Sequence, residues 1–446
     1  MRGKGMRILV IGAGYVGLAT AVVMSQTHEV TVVDIDENRV SLINSGTPPF
    51  EEVGMEPLLR KSVNRGRLQA SDYESIPPGD DFVLFCVGTP PQRDGSVDIS
   101  NLKAARDSVL ENIEKLLDDY LVLAIRSTVP PGTTRSLLIE ELEEHHMSDR
   151  IGVVFNPEFM RQGHAIHDIM NPNRIVIGAS DSKALKRYHS LYRSIVKDKQ
   201  ISVYHVSIES AELSKYASNA FLATKVSFAN EIASLAEKIP NTDPDEVMDI
   251  VTADNRINGN HMKPGLGFGG TCLPKDLAGL IQVGHSLGIP MDLLRGVASV
   301  NRATSIRLMS ILNGELKDIK GKKVAVLGLT FKAGTDDTRR SQSLSLIEEL
   351  NAAGADIWAH DPMANENTIN EGLRTKFKRG DDIFKVTRDA HAVFLMTDWP
   401  LYEEIGIEKI MEPANGKLLI DGRRLFAQSP KPDYVKYRCL GSFCHS

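Results

Sequence analysis

Short apolar runs recur along the chain, each closing on glycine, proline or a polar group, with stretches of helical spacing between them. Residues 7–11 are the first such run and read as a buried strand. Gly12-Ala13-Gly14-Tyr15-Val16-Gly17 follows as a turn, then an apolar helix to Met24 and a second strand, 29–33, closing on Asp34. Residues 81–87, 121–125 and 152–155 are nearly continuous apolar runs, the pattern of parallel strands buried on both faces. They run into Val87-Gly88-Thr89-Pro90, Arg126-Ser127-Thr128-Val129-Pro130 and Asn156-Pro157-Glu158-Phe159. Ligands of open α/β sheets gather at the carboxyl ends of strands. Thr89, Ser127 and Thr128 therefore stand where a ligand would lie, and Glu158 reads either as a base or as a solvated acid.

From Ser207 the character changes. Residues 207–239 have few glycines and no interior proline, and predict one long helix on which Lys215 and Asn219 share a face. Asp243-Pro244 starts another helix, and helical sequence continues to about residue 312. A third region opens with a strand at 323–328, a helix at 343–353 stopped by Gly354, and a strand at 357–359 closing on Asp361. Two further strands, 392–396 and 418–420, run into Thr397-Asp398-Trp399 and Asp421-Gly422-Arg423-Arg424. A charged loop, 331–340, follows the first of these strands, and its Lys332, Arg339 and Arg340 suit phosphate. The expected fold is α/β: two Rossmann-like, doubly wound domains joined by a long-helix central region. The expected boundaries are 1–206, 207–312 (the helical spacer and dimer surface) and 313–446.

With 446 residues the chain exceeds one core, given roughly 100–200 residues per domain. A formal charge of −6 gives no support for nucleic acid or an anionic membrane as partner. The four cysteines, Cys86, Cys272, Cys439 and Cys444, are too scattered for a disulfide framework or metal-ligand spacing, which fits a reducing cytoplasm and no metal. Arg2, Lys4 and Arg7 before an apolar run resemble a signal peptide, but Gly12, Gly14 and Gly17 break the run and it leads straight into a second strand.

The turn at 12–17 has the context that dinucleotide binding requires: strand, glycine turn, helix, strand, acid. Its glycines, with Tyr15 and Val16 between them, let a pyrophosphate approach the helix N-terminus, and Asp34 can accept from a ribose hydroxyl. An acid at position 34 favours NAD over NADP, because it would repel a 2′-phosphate. Arg39 could stack over adenine or meet a phosphate. A second chemical cluster is Gly265-Leu266-Gly267-Phe268-Gly269-Gly270-Thr271-Cys272-Leu273-Pro274-Lys275-Asp276. Four glycines allow close backbone approach. A cysteine beside a cation has the makings of a thiolate nucleophile, although an isolated cysteine after a glycine turn is as often a small core residue.

These motifs together resemble the UDP-glucose/GDP-mannose dehydrogenase family. The resemblance rests on GAGYVG at 12–17, VGTP at 87–90, STVP at 127–130, NPEF at 156–159, GFGGTCLPKD at 267–276 and FKxxTxDxR at 331–339. It implies NAD-dependent oxidation of a nucleotide sugar's C6 alcohol to a carboxylate by a homodimer or larger homo-oligomer. Cys272 would form a thiohemiacetal and then a thioester, with Lys215 and Asn219 stabilising the oxyanion. Asp276 would hold or help deprotonate a water, while Glu158 would serve thioester hydrolysis with Thr128 supporting the water. Lys275 and Arg339 join the cofactor set of Gly12, Gly14, Tyr15, Val16, Gly17, Asp34, Arg39, Val87, Gly88, Thr89, Pro90, Ser127 and Thr128.

For the UDP-sugar the resemblance implies Glu158, Phe159, Met160, Arg161, Gln162, Lys215, Asn219, Lys263, Gly265, Leu266, Gly267, Phe268, Gly269, Phe331 and Lys332. Arg256 fits a position that reaches the neighbouring subunit's site, and Arg424 one that contacts substrate. Gln162 stands where members often carry a second acid; an amide is no base, so Glu158 carries more of that role. Arg340 stands where many members have glutamate. Met262-Lys263-Pro264-Gly265 and Leu273-Pro274-Lys275-Asp276 resemble the GDP-mannose branch, whereas Asn171-Pro172-Asn173-Arg174 and the 397–399 and 421–423 segments look more like UDP-glucose members, and UDP-glucose is favoured over GDP-mannose or a UDP-N-acetylhexosamine. A one-step dehydrogenase would not need Cys272, and a non-catalytic nucleotide-sugar sensor would not need Lys215, Asn219, Cys272 and Asp276 together.

Overall fold

Alternating side chains of the first sheet are buried on two faces, which is what near-continuous apolar strands require. Ile8, Val10, Val32, Phe82, Leu84 and Val122 fill one face, and Leu9, Ile11, Val33, Val83, Phe85 and Leu123 the other. The computed structural model describes residues 5–73, 75–196, 200–373 and 375–442. Arg2, Lys4 and Cys444 lie outside them. Contacts divide the chain into two units, 1–218 and 219–446.

Among the described residues the first unit holds eight strands: β1 (Arg7–Ile11), β2 (Glu29–Val33), β3 (Leu68–Ser71), β4 (Asp80–Phe85), β5 (Leu117–Ile125), β6 (Ile151–Phe155), β7 (Arg174–Ala179) and β8 (Ser202–Val206). Their order is β3-β2-β1-β4-β5-β6-β7-β8. Neighbours are parallel except β6 and β7, which pair antiparallel through Val154–Ala179 and Phe155–Gly178. The order reverses at β1, so the glycine turn after β1 opens at the topological switch point where such sheets bind ligands.

The second unit holds β9 (Lys323–Leu327), β10 (Asp356–His360), β11 (Lys378–Arg379), β12 (Ala392–Leu395), β13 (Leu418–Asp421) and β14 (Lys436–Cys439), in the order β11-β10-β9-β12-β13-β14 and all parallel. It has its own core, with Val324, Val326, Phe394 and Ile420 on one face and Ala325, Leu327, Val393 and Leu395 on the other. Gly328 adopts φ +97°, the same value as Gly12 after β1. The loop 331–340 is folded, with Thr335, Asp337 and Thr338 buried.

Three helices matter for the chemistry. Ile208–Ala236 is 29 residues long, free of glycine and proline, and the division between units falls within it. Leu273–Ser286 begins directly after Cys272, with Pro274 in its first turn. Asp292–Glu315 follows. The expected helix at Asp243-Pro244 is Pro244–Thr252, and the Asp243 side chain accepts from Asp245 N at its start.

Candidate active site

Each glycine of the turn after β1 has a different job. At Gly12, φ is +97° and an added Cβ would lie 3.1 Å from the Cys86 carbonyl. At Gly17 a Cβ would run into the Gly12 carbonyl, whereas at Gly14 it would meet nothing within 4 Å. Packing thus demands two of the glycines and leaves clear space at the third, where the helix Tyr15–Met24 starts. Asp34 is buried and holds the turn, its Oδ2 accepting from Ala13 N at 2.6 Å and its Oδ1 from Asp36 N at 2.9 Å. Arg39 lies 3.7 Å from the same carboxylate. A carboxylate offers about four acceptor positions, so Asp34 retains capacity for a ribose hydroxyl. The cradle fits a dinucleotide.

The loops after β4 and β5 are laced together: Thr89 Oγ1 donates to Thr128 O at 2.8 Å, and Ser127 Oγ to Val87 O at 2.6 Å. Gly88 and Pro90 are exposed beside them and Val16 packs on the core. The Tyr15 hydroxyl meets Glu52, and both accept from Gly163 N, at 2.7 and 2.8 Å. Cys86 is buried among these elements, and burial above all pushes its thiol up to about 12, so it stays protonated.

Glu158, beyond β6, is buried and not solvated. Its Oε1 accepts from Lys215 Nζ at 2.7 Å and its Oε2 from Met160 N at 2.8 Å. Burial opposes ionisation of Glu158 most strongly, yet the charge and hydrogen bond of Lys215, with the Met160 N–H and the Arg126 charge, hold it below the usual carboxylate range. Lys215 is 3% exposed and its ammonium lies 5.5 Å from the Phe159 ring centre, with the Arg174 guanidinium 3.8 Å from the same centre. Arg161 is exposed and chelates Asp168, and Gln162 is half-buried.

In the second unit Asn219 Nδ2 donates to Asp276 Oδ2 at 2.5 Å. Lys275 Nζ reaches Asp276 Oδ1 at 2.7 Å, an ion pair not aligned as a hydrogen bond. Cys272 is exposed at the start of Leu273–Ser286, with Thr271 Oγ1 3.7 Å from its sulfur. A thiolate there stands at the N-terminal end of that helix, which favours negative charge. The glycine loop packs on the 331–340 loop: a Cβ on Gly269 would lie 2.6 Å from the Arg340 carbonyl, and one on Gly270 3.0 Å from the Phe331 ring. A Cβ on Gly265 would lie 3.4 Å from Gly422 O, and the Leu266 side chain lies against Gly422. Lys332 sits 5.8 Å from the Phe331 ring, Arg339 chelates the buried Asp337 at 2.9 Å, and Lys263 is exposed.

One expected residue stands elsewhere. Arg424, at φ +58°, turns its guanidinium inward, and all five donors are used by Asp243, Asp245, the Leu440 carbonyl and the Cys439 sulfur. It clamps the second unit together and has no donor left for a ligand, because this left-handed residue points away from the strand end. The adjacent Arg423 points back, donating to Phe331 O at 2.5 Å and Met396 O at 3.0 Å. Arg256 is exposed and chelates Asp254.

Sequence reasoning missed several supporting side chains. Glu212, fully buried, accepts from Gly132 N at 2.6 Å and Thr134 N at 2.8 Å, beyond the loop that carries Thr128. Asn156 gathers Arg126, Tyr188 and Tyr192 below Glu158. Asn230 and Asn301 hold the glycine loop through its backbone. Their partners lie far away in the chain, so no local pattern marks them. Among the described residues no cluster of potential ligands could hold a metal, and no helix is long and apolar enough to cross a membrane.

Comparison with known proteins adds three matches that cover most of the chain. They are the NAD binding domain of the UDP-glucose/GDP-mannose dehydrogenase family over residues 6–196, its central domain over 209–303 and its UDP binding domain over 325–428. The UDP-glucose 6-dehydrogenase TuaD of Bacillus subtilis is 36% identical, covering 94% of this chain and 90% of that protein. A solved UDP-glucose dehydrogenase from Pyrobaculum islandicum superposes with a TM-score of 0.87 at 34% identity, covering 94% of both chains. A UDP-D-ManNAc dehydrogenase from Pyrococcus horikoshii also gives 0.87, at 28% identity over 98% of this chain and 99% of the other.

Proposed function

The chain belongs to the UDP-glucose/GDP-mannose dehydrogenase family, with NAD as cofactor, and we propose that it oxidises the C6 alcohol of UDP-glucose to the carboxylate through a thioester on Cys272. The observation that carries this reading is an exposed cysteine at a helix N-terminus, followed one turn later by a buried Asp276 held by Asn219. Bound NAD supplies the hydride acceptor for both oxidations. Asp276, working through a water, takes the hydroxyl proton as the alcohol becomes an aldehyde. The Cys272 thiolate then adds to the aldehyde carbon, forming a C–S bond and an oxyanion. Lys215 and Asn219, one turn apart on a single helix, stabilise that charge with donors already fixed by Glu158 and Asp276. Loss of hydride from the same carbon leaves a thioester. Glu158, kept ionised, takes a proton from a water supported by Thr128 as that water adds; the C–S bond breaks, and the carboxylate and the thiolate are released with two protons in all, the one on Glu158 passing on to solvent.

UDP-glucose is favoured because the curated relatives at 35–36% identity bear that name, against 28% for the UDP-D-ManNAc dehydrogenase. The reading includes a reducing, cytoplasmic setting, since Cys272 must stay a thiol. It also includes a homodimer built on the central helices, where Phe221, Phe228 and Leu235 stay exposed seven residues apart; a monomer in sedimentation at micromolar concentration would remove that part. NADH counted per nucleotide sugar across UDP-glucose, a UDP-N-acetylhexosamine and GDP-mannose tests the function. Two NADH with UDP-glucose and the highest kcat/KM for it are expected. One NADH would indicate a reaction that stops at the aldehyde, none a sensor, and a higher kcat/KM for another sugar would reassign the substrate.

A further inference from the structure

A loop with four glycines in six residues has little of its own to fix its path. Here it is pinned by side chains that belong to helices. Asn230 Oδ1, on Ile208–Ala236, accepts from Gly265 N at 2.8 Å. Asn301, on Asp292–Glu315, does more: its Oδ1 accepts from Phe268 N at 2.8 Å and its Nδ2 donates to Phe268 O at 3.0 Å. The amide thus satisfies both backbone groups of one residue, as a neighbouring strand would. The loop closes tightly on it, since Gly267 is at φ +84° and a Cβ there would collide with Asn301 Oδ1. Four residues beyond Phe268 comes Cys272, and four beyond that Asp276, fixed by Asn219. Cys272 therefore lies midway between two pinned points, and the thiol itself is exposed.

We infer that Asn301 is a positioning residue for the second oxidation: by gripping the Phe268 backbone at both its N–H and its C=O, it sets where Cys272 meets the aldehyde. This rests on the thioester reading. The first hydride transfer does not use the sulfur, so a misplaced loop harms the second step selectively. A displacement of about 1 Å costs on the order of a hundredfold in rate.

The test is Asn301→Asp. An ionised carboxylate keeps the acceptor for Phe268 N–H but sets a second oxygen against Phe268 O; once protonated, it donates again and restores both bonds. NADH per UDP-glucose, aldehyde trapped by hydroxylamine and the thermal midpoint are measured for wild type and variant from neutral to acid pH. The expected result is a variant that binds NAD and melts like wild type. At neutral pH its NADH ratio falls from two toward one with aldehyde trapped, and the ratio recovers relative to wild type as the pH falls. A variant with a wild-type ratio and rate throughout overturns the inference, as does an equal loss of both oxidations. If that loss comes with a lowered midpoint, Asn301 is merely structural. A wild-type enzyme that yields one NADH would instead overturn the thioester reading itself. Asn301→Ala, which cannot recover in acid, separates rescue by protonation from a general effect of pH.

Discussion

Lys215 and Glu158 are both almost fully buried, and a buried pair of this kind is tolerable only while each offsets the other. Lys215→Met leaves the Glu158 carboxylate without its ammonium and is expected to cost about 3–5 kcal/mol at neutral pH. The sign with pH follows from the shift. In the native pair Glu158 is held low, so its contribution is present above the unfolded carboxyl range and lost only as the pH falls through the lower folded value. In the variant burial, the largest influence, is opposed only by the Met160 N–H and the Arg126 charge, so the carboxyl should titrate higher than in the native pair, and the penalty stands at neutral pH and fades in acid. Chemical denaturation at neutral pH and near the unfolded carboxyl range, about 4, should show the difference shrinking; a constant difference would contradict the pair's role. The candidate residues themselves were legible because their motifs are local, as with Cys272 after its glycines. Arg424 was not, because two adjacent arginines look alike in sequence, and only the left-handed backbone at Arg424 decides which one points inward. Asn301 and Glu212 left no local trace, since their partners are defined by the fold alone.

At the level of elements, the turn between β1 and its helix separates folding from binding. Gly17→Ala drives a methyl into the Gly12 carbonyl and is expected to destabilise by about 1–3 kcal/mol while also weakening NAD binding. Gly14→Ala meets no atom within 4 Å and sits at φ −70°, which any residue adopts, so the melting temperature should hold. Its methyl fills the space a pyrophosphate needs, and the Kd for NAD should rise by about tenfold or more. Calorimetric titration with NAD and thermal melts check both, and a Gly14→Ala protein that binds NAD normally would undo the assignment of that space. The strands that apolar runs reveal are inner ones, β1, β2, β4, β5, β6, β9, β10, β12 and β13. The ones passed over include the edges β3, β8, β11 and β14, where one flank is open and polar residues such as Lys378, Arg379 and Lys436 are tolerated. β7, with its Ile175–Ile177 apolar run, carries the same signal as β6 but is not among the expected strands.

Across the whole molecule one plan is used twice. Each sheet runs outward through its first three strands and then continues on the other side of the first, for five strands in the first sheet and three in the second, with a glycine at φ +97° closing the first strand and an aspartate closing the second. Asp34 takes Ala13 N; Asp361 takes Leu329 N, Thr330 N, the Thr330 hydroxyl and the Trp399 indole. Asp361 is so fully engaged that, unlike Asp34, it keeps no acceptor position for a ribose hydroxyl. The proposed two-step oxidation assigns NAD to the cradle after β1 and the nucleophile to Cys272. The most direct measurement is therefore uronate formed in a single turnover by Cys272→Ala with excess NAD and UDP-glucose. The account predicts no uronate, with aldehyde captured by hydroxylamine; uronate at the wild-type rate would contradict it.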